Sequence, residues 1–213
     1  MQKVDWREEL KHLYGPSAKT VVEVEVPKMD FLMVDGQGDP NGPRFAEATE
    51  ALYAVSYDMK SMVKKRDGVD HAVSPLEGLW WEKGLFGFQD EEAWRRTAAN
   101  RQAWKWTLMI MQPEQVSDEL IEQARTGVEK KKELPALPMV RFGTFREGPA
   151  AQVLHRGPYA EEWPTVERVH RYIEERGGDP SGKHHEIYLN HPGRTAPEKL
   201  KTIIRQPFTP AEA

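Results

Sequence analysis

One order of segments occurs twice along this chain, and that recurrence limits its fold more than any other feature. Residues 31–34 are followed by a glycine-containing turn, a helical pattern, a glycine break and Leu76-Glu77-Gly78-Leu79-Trp80-Trp81. Residues 152–155 are followed by Gly157-Pro158, a helical pattern, Gly177-Gly178 and His184-His185-Glu186-Ile187-Tyr188-Leu189-Asn190. Self-similarity on this scale points to a duplicated unit. Two registers relate the final strands, Glu77 opposite Glu186 or Trp80 opposite Tyr188, and a one-residue slip turns every side chain to the other face. The second is preferred, because it puts an aromatic residue at the same place in both halves. The predicted fold is α+β, with duplicated strand-helix-strand-strand modules, antiparallel sheets and helices on one side. A ligand cleft falls between the repeats, where binding sites commonly lie. Repeat one spans about 19–82 and repeat two about 104–207, within a single domain of residues 1–213.

Local patterns fill in the rest. Residues 5–14 read as a short helix with Asp5 at its N-cap and Trp6, Leu10 and Leu13 on one stripe. Alternation predicts strands at 20–26, 29–34, 76–82, 104–111, 139–145, 151–155, 183–192 and 201–205. Phe45, Thr49, Leu52, Met59 and Val63 recur at helical spacing to about residue 66, and Tyr53 and Tyr57 project together from the flank of that helix. A link through Gly84 and Gly87 leads to a short helix over 90–101. Ser117 starts another helix, which ends in the solvated charge run 129–133. A further helix covers 164–176, and the tail after Pro207 is expected to be loose.

The strand at 183–192 is where periodicity and chemistry meet. Ile187 and Leu189 share one face, while His184, Glu186, Tyr188 and Asn190 share the other. A carboxylate beside a phenol in a chain with seven Trp suggests a pocket for an aromatic or cationic ligand. The alternative is a half-solvated edge strand with a surface Glu. Neighbours on a strand point apart, so Trp80 and Trp81 face opposite ways. Large rings are mostly buried for packing, which favours a core role for Tyr57 and for one of that Trp pair.

Several classes of chemistry find no support. The 213 residues contain no cysteine, so disulfides and thiolate sites are excluded. A net charge of −4 gives no electrostatic footprint for nucleic acid. No apolar run approaches a bilayer span, and Asp5, Glu8 and Glu9 sit where a signal peptide would be basic and apolar, so the cytoplasm is the default location. His185 and His191 lie about 20 Å apart on an extended strand and cannot share an ion, and His184 with Glu186 makes only two ligands. No metal or cofactor is expected. Gly36-x-Gly38 reads as a turn, and no serine sits in a nucleophile elbow.

Four blocks carry a resemblance: residues 75–81 (PLEGLWW), Trp104-x-Trp106 with Gln112-Pro113, residues 147–159 (EGPAAQVLHRGPY) and residues 182–207 (GKHHEIYLNHPGRTAPEKLKTIIRQP). On them the chain resembles the GyrI-like small-molecule-binding family, related to the effector domains of multidrug-responsive transcription activators. The resemblance implies a pseudo-twofold pair of modules with a ligand cleft between them. It places the family's central acid on Glu186 and the pocket walls on Tyr188, Trp80, Tyr53 and Tyr57, with Trp104 or Trp106 as further candidates. Only about 20 residues precede the first strand, so a helix-turn-helix and direct DNA contact are not implied. Some standalone members are implied to hydrolyse cyclopropanoid genotoxins, with Glu186 acting on water and a phenol such as Tyr188 or Tyr53 donating to the carbonyl. Non-catalytic binding or sensing of a small molecule, and a gyrase-interacting role, are the alternatives the family carries.

Overall fold

The computed structural model describes residues 2–81 and 90–211; the predicted Gly84/Gly87 link lies outside them. Among the described residues nine strands form: β1 (Gln2–Val4), β2 (Val22–Gln37), β3 (Val69–His71), β4 (Leu76–Trp81), β5 (Lys105–Gln112), β6 (Arg141–Arg156), β7 (Asp179–Pro180), β8 (His184–Tyr188) and β9 (Lys201–Thr209). The two predicted sheets are not separate. They join through β2–β6 and β4–β8, so that six strands close antiparallel in the order β6-β2-β5-β4-β8-β9, with β9 returning to β6. Along the β4–β8 ladder Gly78 pairs with Glu186, flanked by Trp80 with His184 and Leu76 with Tyr188. A twofold through that central pair relates Trp80 to Tyr188.

Two strands are longer than their sequence pattern suggests. The segments 20–26 and 29–34 merge into β2, because Pro27 removes one ladder donor while Val26 and Lys28 keep their partners Gly148 and Arg146 on β6. The same pairing carries β6 through Gly148-Pro149, so 139–145 and 151–155 are also one strand. The helix expected at 5–14 breaks at Leu10 (φ −102°, ψ 34°) into α1 (Trp6–Glu9) and α2 (Lys11–Tyr14). The tail is not loose after Pro207. Phe208 is buried and pairs with Pro180, which extends β9 to Thr209.

The helices dress the outside of the barrel. Helix α3 (Pro43–Asp67) opens with proline in its first turn, where the missing N–H costs nothing, and stops at Gly68 in the left-handed region (φ 69°). Its inner face packs on Leu32, Val34, Trp106, Leu108 and Ile110. Helix α5 (Asp118–Glu129), capped by the Ser117 side chain accepting from the Leu120 N–H, lies against α3. Helix α4 (Glu91–Ala99) precedes β5, and α6 (Trp163–Glu175) covers Ala151, Val153 and Ile204. Alternate residues turn inward, among them Phe31, Met33, Leu79 and Met109 toward one end and Ala150, Ile187 and Ile203 toward the other. Leu13 and Tyr14 of α2 insert among the latter set.

The barrel interior also holds a closed polar network. Tyr14 donates to Glu77 Oε1 (2.7 Å), and His185 bridges Glu77 Oε2 (3.0 Å) and Glu147 Oε1 (2.9 Å). Arg205 donates to Glu147 Oε2 (3.2 Å), Gln152 Oε1 (2.9 Å) and the Leu13 carbonyl (2.8 Å). Two carboxylates thus face one guanidinium and one imidazole. Burial pushes His185 down, but Glu147 and then Glu77 outweigh it and raise its pKa to about 9. Burial likewise pushes Glu147 up, and His185 with Arg205 holds it below the usual carboxylate range.

A raised histidine stabilises the fold fully below its unfolded pKa, and that contribution disappears as pH rises through the folded value. Stability should therefore fall by on the order of 3 kcal/mol between pH 6.5 and about 9. Urea unfolding midpoints across that window test this, with His185→Gln expected to flatten the slope. An equally steep decline in the variant would assign the loss elsewhere.

Candidate functional site

A cavity of about 1460 Å³ opens where α3, α4, β4, β8 and the turn after β6 meet. Helix α3 lines it with Phe45, Thr49, Tyr53 and Tyr57, spaced four apart and so stacked along one helix face. Strand β4 adds Leu76 and Trp80, and β8 adds Glu186 and Tyr188. Trp94 and Trp104 close another side. The rings brace one another: Trp80 stacks on Phe45 with centroids 5.8 Å apart and meets Trp104 edge-on at 5.4 Å, and Tyr53 stacks on Tyr57 at 6.2 Å.

The polar end is wired in series. Trp80 Nε1 donates to the Tyr188 hydroxyl (3.0 Å), which donates to Glu186 Oε2 (2.7 Å). Glu186 Oε1 lies 3.2 Å from His184 Nε2. Gly78, paired across from Glu186, leaves the notch in which the first bond forms, since a Cβ there would sit 2.8 Å from Trp80 Nε1 and 3.1 Å from the Tyr188 oxygen. Burial, and then the Glu186 charge, push the Tyr188 phenol well above its ordinary pKa, which keeps it a donor. Behind His184, His170 is driven down to about 4 by burial and by His184 itself, so it stays neutral near pH 7.

Glu186, Tyr188, Trp80, Tyr53, Tyr57 and Trp104 therefore share one cavity. Tyr57 is no core ring: it is 57% exposed on the outer wall. Trp80 faces α3, whereas Trp81 points to the opposite face, where Lys183 sits 3.2 Å over its ring. Trp106 is the candidate that the structure leaves out. It is fully buried beneath Phe45, its indole lying across Gly36 and donating to the Gly38 carbonyl. Trp104 and Trp106 are two apart on an extended chain, yet the first lies just before β5 begins and faces the cavity. Glu77 belongs to the barrel interior and points away from the site. Among the described residues no group of three or more His, Asp or Glu side chains is placed to hold a metal ion.

The sequence reading missed Tyr159 and Glu162, both on the cavity wall. They follow Gly157-Pro158, a stretch that reads as a turn between elements and carries no periodicity. Tyr159 meets Tyr188 edge-on at 5.8 Å, and burial followed by the Glu186 charge raises its pKa. Glu162 is 1% exposed, and its Oε1 meets no hydrogen-bond partner among the described residues. Burial, and then the charge of Glu186, raise its pKa well above the usual carboxylate range. An acid preceding the run Trp163-Pro164 was the available signal, since proline in the first turn withholds an N–H from the side chain before it.

The family model described as the GyrI-like small molecule binding domain matches residues 85–208. No curated protein matches the chain. Among solved structures it is similar to an uncharacterized conserved protein from Listeria innocua at 39% identity and a TM-score of 0.85, covering 97% of this chain and all of that one. It is also similar to a hydrolase from Listeria innocua at 37% identity and a TM-score of 0.82, over the same shares of each chain. The C-terminal domain of EcmrR shares its fold at 11% identity, with a TM-score of 0.55 over 90% of this chain and 98% of that domain. With a family match over more than half its length and relatives this similar end to end, the chain belongs to the GyrI-like small-molecule-binding family.

Proposed function

We propose that this protein is a hydrolase that takes a planar, largely apolar small molecule into the aromatic cavity and opens it with water, a cyclopropyl-cyclohexadienone being the substrate class. The observation that carries this reading is the chain Trp80–Tyr188–Glu186, which fixes one carboxylate at the polar end of a cavity walled by stacked rings. The hydrolase from Listeria innocua supports it by its likeness over the whole chain. Water attacks the cyclopropyl carbon, the strained C–C bond breaks, and its electron pair moves through the ring to the carbonyl oxygen. Glu186 accepts the proton from water as the C–O bond forms. Tyr188, whose own proton is committed to Oε2, holds that carboxylate in place. Trp80 and the α3 rings present flat faces to the substrate, the geometry in which aromatic pairs stack.

The test is to incubate the protein with a synthetic spirocyclopropyl-cyclohexadienone and follow the hydrated, ring-opened product by mass spectrometry. Wild type is expected to turn over catalytically, and Glu186→Gln to lose about 10²–10⁴-fold in kcat with ligand binding kept, as for loss of a general base. Full turnover by the variant would remove Glu186 from that role. Stoichiometric binding without hydrated product would leave a non-catalytic binding protein with the same pocket.

A further inference from the structure

We infer that Glu162 is the proton donor of this site, delivering a proton to the oxygen on which the substrate's negative charge collects. The inference rests on the hydrolase reading above and names the partner that reading lacks. If Glu186 takes a proton from water, another group must supply one to the nascent phenolate. Tyr188, the phenol bonded to Glu186, already commits its proton to that carboxylate.

Glu162 has the opposite character. It stands at the N-cap of α6, where a carboxylate ordinarily accepts from the N–H groups two and three residues on. Here the first of those residues is Pro164, which has no N–H, and the second, Thr165, gives its N–H to the Glu162 backbone carbonyl (2.8 Å). The side chain makes no cap bond, and Oε1 is buried with no hydrogen-bond partner among the described residues, in a residue that lines the cavity. A buried carboxylate with one oxygen unpartnered is costly, and the group escapes that cost by keeping its proton. The groups acting on it point the same way. Glu186 raises it from β8, Tyr188 and Tyr159 add phenols rather than cations, and only the Thr202 hydroxyl on β9 pulls weakly in the other direction. Two carboxyl groups in one cavity, Glu186 bonded through both oxygens and Glu162 with an orphaned Oε1, divide the base and acid roles between them.

The proton balance closes. Water gives its hydroxyl to the cyclopropyl carbon and its proton to Glu186, the broken C–C pair becomes the phenolate, and Glu162 protonates it. The carboxyl groups then hold the proton in exchanged places, and it returns from Glu186 to Glu162 before the next turnover.

Glu162→Gln tests this, because glutamine matches the shape and donor capacity of a protonated Glu but transfers no proton. With the spirocyclopropyl-cyclohexadienone as probe, kcat should fall about 10²–10⁴-fold while KM changes little, and the alkaline limb of the pH–kcat profile should vanish. Infrared spectra of the ligand-free protein at neutral pH should show a protonated-carboxyl band that Glu162→Gln removes. Wild-type kcat with an unchanged alkaline limb in the variant, or no such band in the wild type, overturns the donor assignment and leaves the hydrolase reading standing. Absence of hydrated product from the wild type overturns the hydrolase reading and the donor role with it.

Discussion

Arg205→Met is expected to lower folding stability by about 3–5 kcal/mol, the range for removing one partner of a buried ion pair. Arg205 is fully buried in the barrel, and three acceptors depend on it: Glu147, Gln152 and the Leu13 carbonyl. Methionine fills most of the volume, so packing loss is secondary to charge. The interior, with Glu77 and Glu147 opposed by Arg205 and His185, would be left with an excess negative charge that water cannot reach. The Leu13 bond also tethers α2 to β9, so local loosening of the N-terminal segment should accompany the loss. Chemical denaturation measures the first effect and amide exchange of residues 11–14 the second. Charge balance can be separated from contact loss by adding Glu147→Gln. That double variant should recover part of the stability, and a strictly additive cost would refute the charge argument.

Gly36→Ala should be at least as damaging, at about 3 kcal/mol or more, above the usual range for overpacking. A Cβ on Gly36 would lie 2.1 Å from the six-membered ring of Trp106, its partner across the β2–β5 ladder. The ring cannot withdraw easily. It is almost wholly buried, bonded through Nε1 to Gly38 and met edge-on by Phe45 at 5.4 Å. Since Phe45 is the ring on which Trp80 stacks, any shift of the indole reaches the cavity wall. The variant should therefore bind its ligand more weakly as well as unfold earlier. Coupling with Trp106→Leu, which withdraws the obstructing ring, should make the glycine substitution far milder. If Gly36→Ala alone leaves the thermal midpoint unchanged, the close approach does not constrain the fold.

The difference between Trp104 and Trp106 shows what the sequence could not resolve. Both satisfy the same alternation, and pattern alone places them on one face. Their fates diverge because strand β5 starts at Lys105, with Arg101–Ala103 coiled into a 3₁₀ turn that swings Trp104 out over the cavity. By contrast, β8 was legible over His184–Tyr188, where alternation is kept and the two faces meet the barrel interior and the cavity, although the pattern suggested a strand to residue 192 and the chain bends away after Tyr188. The merging of two predicted strands across Pro27 had a tertiary cause. Proline argues against continuity when a segment is considered alone, and β2 continues because β5 and β6 flank it on both sides. Glu162 was hidden for another reason. Its significance lies in a missing hydrogen bond, and the trace this leaves in the sequence, an acid before Trp163-Pro164, carries no periodicity.

The closed barrel also bears on how the chain is made. Its seams join distant segments, Val22 with Gln152 and Leu76 with Tyr188, so neither can form until the second half has been synthesised. Meanwhile β2, β4 and β5 present two open edges, the condition under which nascent sheets pair with the wrong neighbour. Glu23, Glu25, Pro27 and Lys28 lie along the waiting edge of β2, residues of the kind that discourage such pairing. When β6 arrives, the deterrent becomes part of the joint: Glu25 meets Arg146 across the seam at 3.7 Å, and the charge that kept strangers away helps admit the proper strand.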